Sequence, residues 1–208
     1  LLAIISSIFI CALGVALLVW PEWGCDPLTT FEIGMSNVFH VQFGTVALVF
    51  EGIMFFVFLF VRKDLVHLGT LAWCFLIGPF ESLWLGILDP ILPVASEMSV
   101  GLKIVCILLG SAIIIVTLAY YIPIGLGYQT SDIFAFIAAD IVKKSYGIGL
   151  IISYAILFVI GVALGSSWGI GTLIAVVAYG PIRDRLMVIF EPFSFAVAGM
   201  TKEDKKGK

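Results

Sequence analysis

The same short motifs recur in the same order about one hundred residues apart. Gly69-Thr70 returns as Gly171-Thr172 (171 − 69 = 102) and Gly78-Pro79 returns as Gly180-Pro181 (180 − 78 = 102). Pro21 and Pro123 keep that offset (123 − 21 = 102), and Gly44 and Gly147 stand one residue further apart (147 − 44 = 103). A two-residue match is weak alone. Four in one order imply an internal duplication, which constrains the architecture before any element is assigned.

The repeated unit has little polar surface to show to water. The chain of 208 residues is 62% hydrophobic and only 12% charged, where a soluble domain carries about 25% charged residues. It reads as an integral membrane protein, spending its length on apolar spans of about 20 residues. A net charge of −3 gives no reason to expect nucleic acid as a partner. Cys11, Cys25, Cys74 and Cys106 are far apart and without CxxC spacing, so neither a disulfide framework nor a metal site is expected. Cys25 is read as lying in an exposed turn and the other three as small core hydrophobes.

Spans are predicted over 1–19, 43–61, 65–88, 100–121, 147–164 and 168–182, the last with an extension over 186–195. Two shorter, more polar stretches, 22–42 and 128–144, hold about one half-helix each. The first opens with Asp26-Pro27, an N-cap followed by proline at the first helical position. The second is capped by Thr130, Ser131 or Asp132. Such segments dip into the bilayer and return. Gly78-Pro79 and Gly180-Pro181 read as breaks within the third and sixth spans.

Arg62-Lys63, Lys143-Lys144, and Arg183 with Arg185 fall on one side of the membrane if there are six spans. Lysine and arginine mark the cytoplasmic side, so both termini are expected there. Three spans per repeat is an odd number, so the second repeat inserts upside down. The expected fold class is all-α integral membrane: six transmembrane helices and two short re-entrant or broken helices in two inverted three-helix repeats. Residues 1–95 form the first repeat, 96–195 the second, and 196–208 a charged cytoplasmic tail.

Inverted repeats with broken helices at matching positions place a solute site near the midplane. The expected solute contacts are Asp26, Thr29 and Thr30 on the first short helix and Thr130, Ser131 and Asp132 on the second. Gly69-Thr70 and Gly171-Thr172 join them, because glycine admits close approach and threonine offers a hydroxyl. The plain alternatives are N-capping for the two aspartates and close helix packing for the Gly-Thr pairs. Glu51 sits deep in the second span, where an unpaired carboxylate is costly. It is the expected proton- or ion-coupling residue, and its repeat counterpart falls at Ser153-Tyr154. Gly78, Pro79 and Glu81, with Gly180, Pro181 and Arg183, form the expected gates. Glu81 and Arg183 are repeat mates of opposite charge, suited to an ion pair. Asp140 is spaced for helical pairing with Lys143 and Lys144.

Taken together, the duplicated turn before a short helix, the Gly-Thr start of a later span and the following Gly-Pro resemble bacterial YczE/YitT-type membrane proteins. The resemblance covers about residues 8–189 and rests on Asp26, Gly69, Thr70, Gly78, Pro79, Asp132, Gly171, Thr172, Gly180, Pro181 and Asp184. Ser82 stands in the first copy where the second has Asp184. The resemblance implies a six-span protein of the bacterial inner membrane and carries no defined activity. A short charged tail replaces the soluble domain of YitT-type members, which favours the YczE-like branch. The function expected is transport of a small polar solute by alternating access between the repeats. A non-transporting accessory protein that positions a partner is the alternative. No nucleophile–base constellation, cofactor motif or metal cluster points to an enzyme. The expected partners are the bilayer and the solute, and the arrangement is compatible with an oligomer.

Overall fold

In the computed structural model the described residues are 2–199. They form eight α-helices: α1 (Leu2–Val19), α2 (Pro27–Phe39), α3 (Phe43–Val61), α4 (Leu68–Leu88), α5 (Val100–Tyr121), α6 (Thr130–Val142), α7 (Tyr146–Ala163) and α8 (Ile170–Ala198). A 3-10 turn, Ile122–Ile124, follows α5, and no strand occurs among the described residues. The expected tail beyond residue 199 lies outside them.

Among the described residues four helices are long and apolar enough to cross a membrane: α3, α4, α5 with its 3-10 turn, and α7. The chain is therefore an all-helical membrane protein. Over Ile4–Val19, α1 is apolar but short. The 29 residues of α8 include Arg183, Asp184, Arg185 and Glu191, which keep it out of the set. Both helices cut by Gly-Pro in the sequence reading are continuous. Pro79 lies inside α4, and Pro181 and Pro192 lie inside α8. Each glycine before the proline lets a neighbour close in: a Cβ on Gly78 would meet the Gly44 carbonyl at 2.5 Å, and Gly180 faces the Gly147 backbone in the same way. These motifs are packing points, not breaks.

The succession of a long, a short and two long helices occurs twice. Backbone conformations repeat with it. Glu22, Gly24 and His40 have positive φ, and so do Gly125, Gly127 and Lys143, each 103 residues later (125 − 22 = 103). His40 and Lys143 are the left-handed C-caps of the two 13-residue helices α2 and α6. Contacts between the halves are also reciprocal. Gly69 N–H donates to Leu126 C=O at 2.8 Å, and Gly171 N–H donates to Trp23 C=O at 3.3 Å.

Gly14 on α1 meets Gly110, Ile113 and Ile114 on α5, while Gly110 meets Gly14, Leu17 and Leu18. That register runs the two helices antiparallel through the centre. Around them α1 packs on α4, α5 on α8, α3 on α4 and α7 on α8. The short helices are held unequally: α7 packs along both α2 and α6, whereas α3 meets α2 over less of its length and barely touches α6. Polarity is inside out. Phe60, Ile141 and Val188 are among many apolar side chains on the outer surface, while Asp26, Glu32, Glu51, Glu81, Asp132 and Arg183 are buried. Burying charge is costly unless lipid makes the outside costlier still.

Candidate solute site

The two short helices begin in the interior. Asp26 caps α2: its Oδ1 accepts from Leu28 N–H and Thr29 N–H, both at 3.2 Å, and its Oδ2 accepts from the Thr29 hydroxyl. Such a cap is worth about 1 kcal/mol. Gln129 is the N-cap of α6 and makes no capping bond with its side chain. Its Nε2 donates instead to Ser131 Oγ at 2.8 Å. None of Thr130, Ser131 and Asp132, expected from the sequence as the cap of the second helix, takes that place; all three lie inside its first turn. In the 103-residue register Asp26 matches Gln129 (129 − 26 = 103), and Asp132 matches Thr29.

A cavity of about 30 Å³ lies between the two helix starts, and every helix contributes to its wall. That is room for about two waters. Six pairs of wall residues share the spacing of the recurring motifs: Cys11 with Ile114, Val15 with Leu118, Asp26 with Gln129, Leu28 with Ser131, Glu51 with Tyr154 and Glu81 with Arg183. Five pairs stand 103 residues apart and the last 102 (183 − 81 = 102). The cavity is chemically lopsided. Its acids, Asp26, Glu32, Glu51 and Glu81, come from the first half, while the second half supplies Gln129, Ser131, Tyr154 and Arg183.

Each side is braced. The Thr130 hydroxyl on α6 donates to Glu51 Oε2 on α3, tying the halves together. Arg183 Nη1 pairs with Asp132 Oδ1 at 3.3 Å, both side chains being fully buried. Tyr146 O–H donates to the same Oδ1 at 2.7 Å, and Arg183 donates to the oxygens of Tyr146 and Tyr154 at 3.2 and 3.4 Å. The guanidinium also lies over the Tyr179 ring, 5.6 Å from its centroid. The opposite charges of Glu81 and Arg183 therefore do not meet as the expected pair: the ion pair of Arg183 is with Asp132.

Of the expected solute contacts, Asp26, Thr29 and Ser131 line the cavity, with Glu51, Glu81 and Arg183. Thr30 is buried beside it and bonds back to Asp26 C=O at 3.0 Å. Thr130 and Asp132 lie behind the wall, bonded to Glu51 and Arg183. Gly69, Thr70, Gly171 and Thr172 are not at the site. They sit where the loop of one half crosses the start of a helix of the other. Thr70 Oγ1 accepts from Tyr128 N–H at 2.9 Å. Gly127 (φ +115°) and Gly24 (φ +96°) press on Thr70 and Thr172. Two smaller expectations also change. Cys25 is buried. Asp140 bonds Arg62 at 2.8 Å, which leaves the expected pairing with Lys143 and Lys144 unmade among the ion pairs.

Sequence reasoning missed Glu32, Gln129, Tyr146 and Tyr154. Gln129 was within reach: the 103-residue offset of Gly44 and Gly147, applied to Asp26, points to it. Glu32 follows Leu28 by one helical turn and so shares its face.

The family model for a family of unknown function, DUF6198, matches residues 1–187. The chain belongs to that family. DUF6198 carries no assigned activity, so the chemistry rests on the site. Comparison with curated proteins and with solved structures finds no match.

Proposed function

We propose that this protein transports a small polar solute by alternating access between two inverted repeats, with the cavity as the point of exchange. The observation that carries the reading is the pairing of the cavity wall. Six such pairs, five of them 103 residues apart and one 102, support a polar centre on an axis relating the halves, where rocking one half against the other would open it first to one face and then to the other. The reading includes six spans in a bacterial inner membrane, with α1 and α8 added to the four long apolar helices, and both termini in the cytoplasm. It also includes the kinship with YczE/YitT-type proteins and the absence of an enzymatic step. Both short helices start at the polar cavity, so backbone groups at their N-termini can lie near a solute without meeting lipid.

The test is cysteine accessibility. With the four native cysteines replaced and Ser131→Cys introduced, a membrane-impermeant maleimide is applied to right-side-out and to inverted vesicles. Alternating access predicts labelling from both sides. Labelling from neither side contradicts transport and returns the protein to the accessory role.

A further inference from the structure

We infer that the acidic half of the cavity binds a small monovalent cation. This deepens the transport reading by giving the solute, or its coupling ion, a charge. It stands on the side chains around the cavity, not on any motion of the helices.

Glu81 carries the inference. It is 3% exposed, lines the cavity, and its Oε2 has no hydrogen-bond partner. A buried carboxylate oxygen without a partner costs free energy that a bound cation would recover. The fixed positive charge is largely committed, with the Nε–H of Arg183 left without a partner. Arg183 holds Asp132 and the hydroxyl oxygens of Tyr146 and Tyr154. The two helix starts together bring the equivalent of about one positive charge. Against these stand five buried carboxylates, Asp26, Glu32, Glu51, Glu81 and Asp132, of which Asp132 alone is paired with Arg183. The balance disfavours an anion, although helix N-termini alone would suit one.

Size and donors narrow the class. A cavity of about 30 Å³ matches an ion about as large as one or two waters. The donors facing it are carboxylate, hydroxyl and amide oxygens, which suit hard cations. Among the described residues no three His, Cys, Asp or Glu side chains come together closely enough to hold a metal ion. A divalent or transition-metal chelate is therefore not what the wall forms. A singly charged ion of sodium or ammonium size, held by Glu81 with help from Glu51 and the hydroxyls of Thr29 and Ser131, fits what remains.

The test reads equilibrium binding and needs no transport. Thermal unfolding of the purified protein is followed at fixed pH and ionic strength while N-methylglucamine is replaced by sodium or by ammonium. A ligand of the folded state raises the midpoint with its concentration. The expected result is a saturable rise with at least one of the two ions, and the ion acting at lower concentration identifies the preferred occupant. Glu81→Gln should abolish the rise or shift it to about tenfold higher concentration, a change of about 1.4 kcal/mol. Should Glu81→Gln fail to fold, Glu51→Gln, which keeps an acceptor for Thr130, is expected to weaken the response in the same direction. Asp64→Asn, on an exposed loop, should leave it unchanged. A midpoint that responds to pH but to neither ion overturns the inference, as does an ion response that survives both Glu variants. Two-sided labelling at Ser131 could still hold in that case. A cation response without such labelling would remove transport and leave the site.

Discussion

Arg183 shows most plainly what a single residue contributes here. Its side chain is fully buried and held by one carboxylate, two hydroxyls and an aromatic face. Breaking a buried pair strands the remaining charge, at a cost of about 3–5 kcal/mol. Arg183→Leu should therefore lower stability by about that much, while Arg183→Leu with Asp132→Leu should recover a large part of it. Equilibrium unfolding of both variants and of Asp132→Leu closes the cycle. Arg62 is the surface contrast. It bonds Asp64 and Asp140 at 2.8 Å, with both partners well exposed. Arg62→Ala is expected to cost about 1 kcal/mol or less, and less again at high salt. Its hydrogen bond and charge hold the Asp64 carboxyl below the ordinary range. That small contribution is in place at neutral pH and fades as pH falls through the ordinary carboxylate range and below. The sequence announced Asp26, Glu51, Glu81 and Arg183, because charge inside an apolar run has few harmless places to go. It did not distinguish the Gly-Thr pairs from a binding site. A small residue beside a hydroxyl serves a tight backbone crossing as well as a ligand.

At the scale of elements, the crossings at Gly24 and Gly127 hold the two halves in register. Both have positive φ, and a Cβ would come within 2.5 Å of Thr172 Oγ1 or of Thr70 N. Gly24→Ala and Gly127→Ala should each destabilise the protein, and by similar amounts, since backbone strain and a clash act together. Gly86 in α4 is the control, with nothing near its would-be Cβ. Gly86→Ala should be neutral or stabilising by up to about 1 kcal/mol. Thermal midpoints of the three variants measure this. Helix positions were largely legible, because apolar runs and caps such as Asp26 mark them. The continuity of α4 and α8 was not. Proline in a sequence signals a lost N–H, but only the approach of Gly44 and Gly147 explains why each helix carries on. The cap of α6 was missed because it was sought among Thr130, Ser131 and Asp132, whereas the 103-residue offset of Gly44 and Gly147 sets Gln129 against Asp26.

At the scale of the whole molecule, the protein is turned inside out, with an apolar exterior and a charged centre. The recurring motifs were visible in the sequence. The shared cavity was not, since it depends on α1 and α5 crossing antiparallel so that both half-helices start at one point. The inverted relation of the halves is the claim on which the transport reading depends, and His40 and Lys143 test it most directly. They are exposed, repeat-matched C-caps of α2 and α6. In a protein without native cysteines, His40→Cys should react with an impermeant maleimide only from the periplasmic side, and Lys143→Cys only from the cytoplasmic side. Reaction of both from the same side would contradict the inverted repeat and the shared site with it.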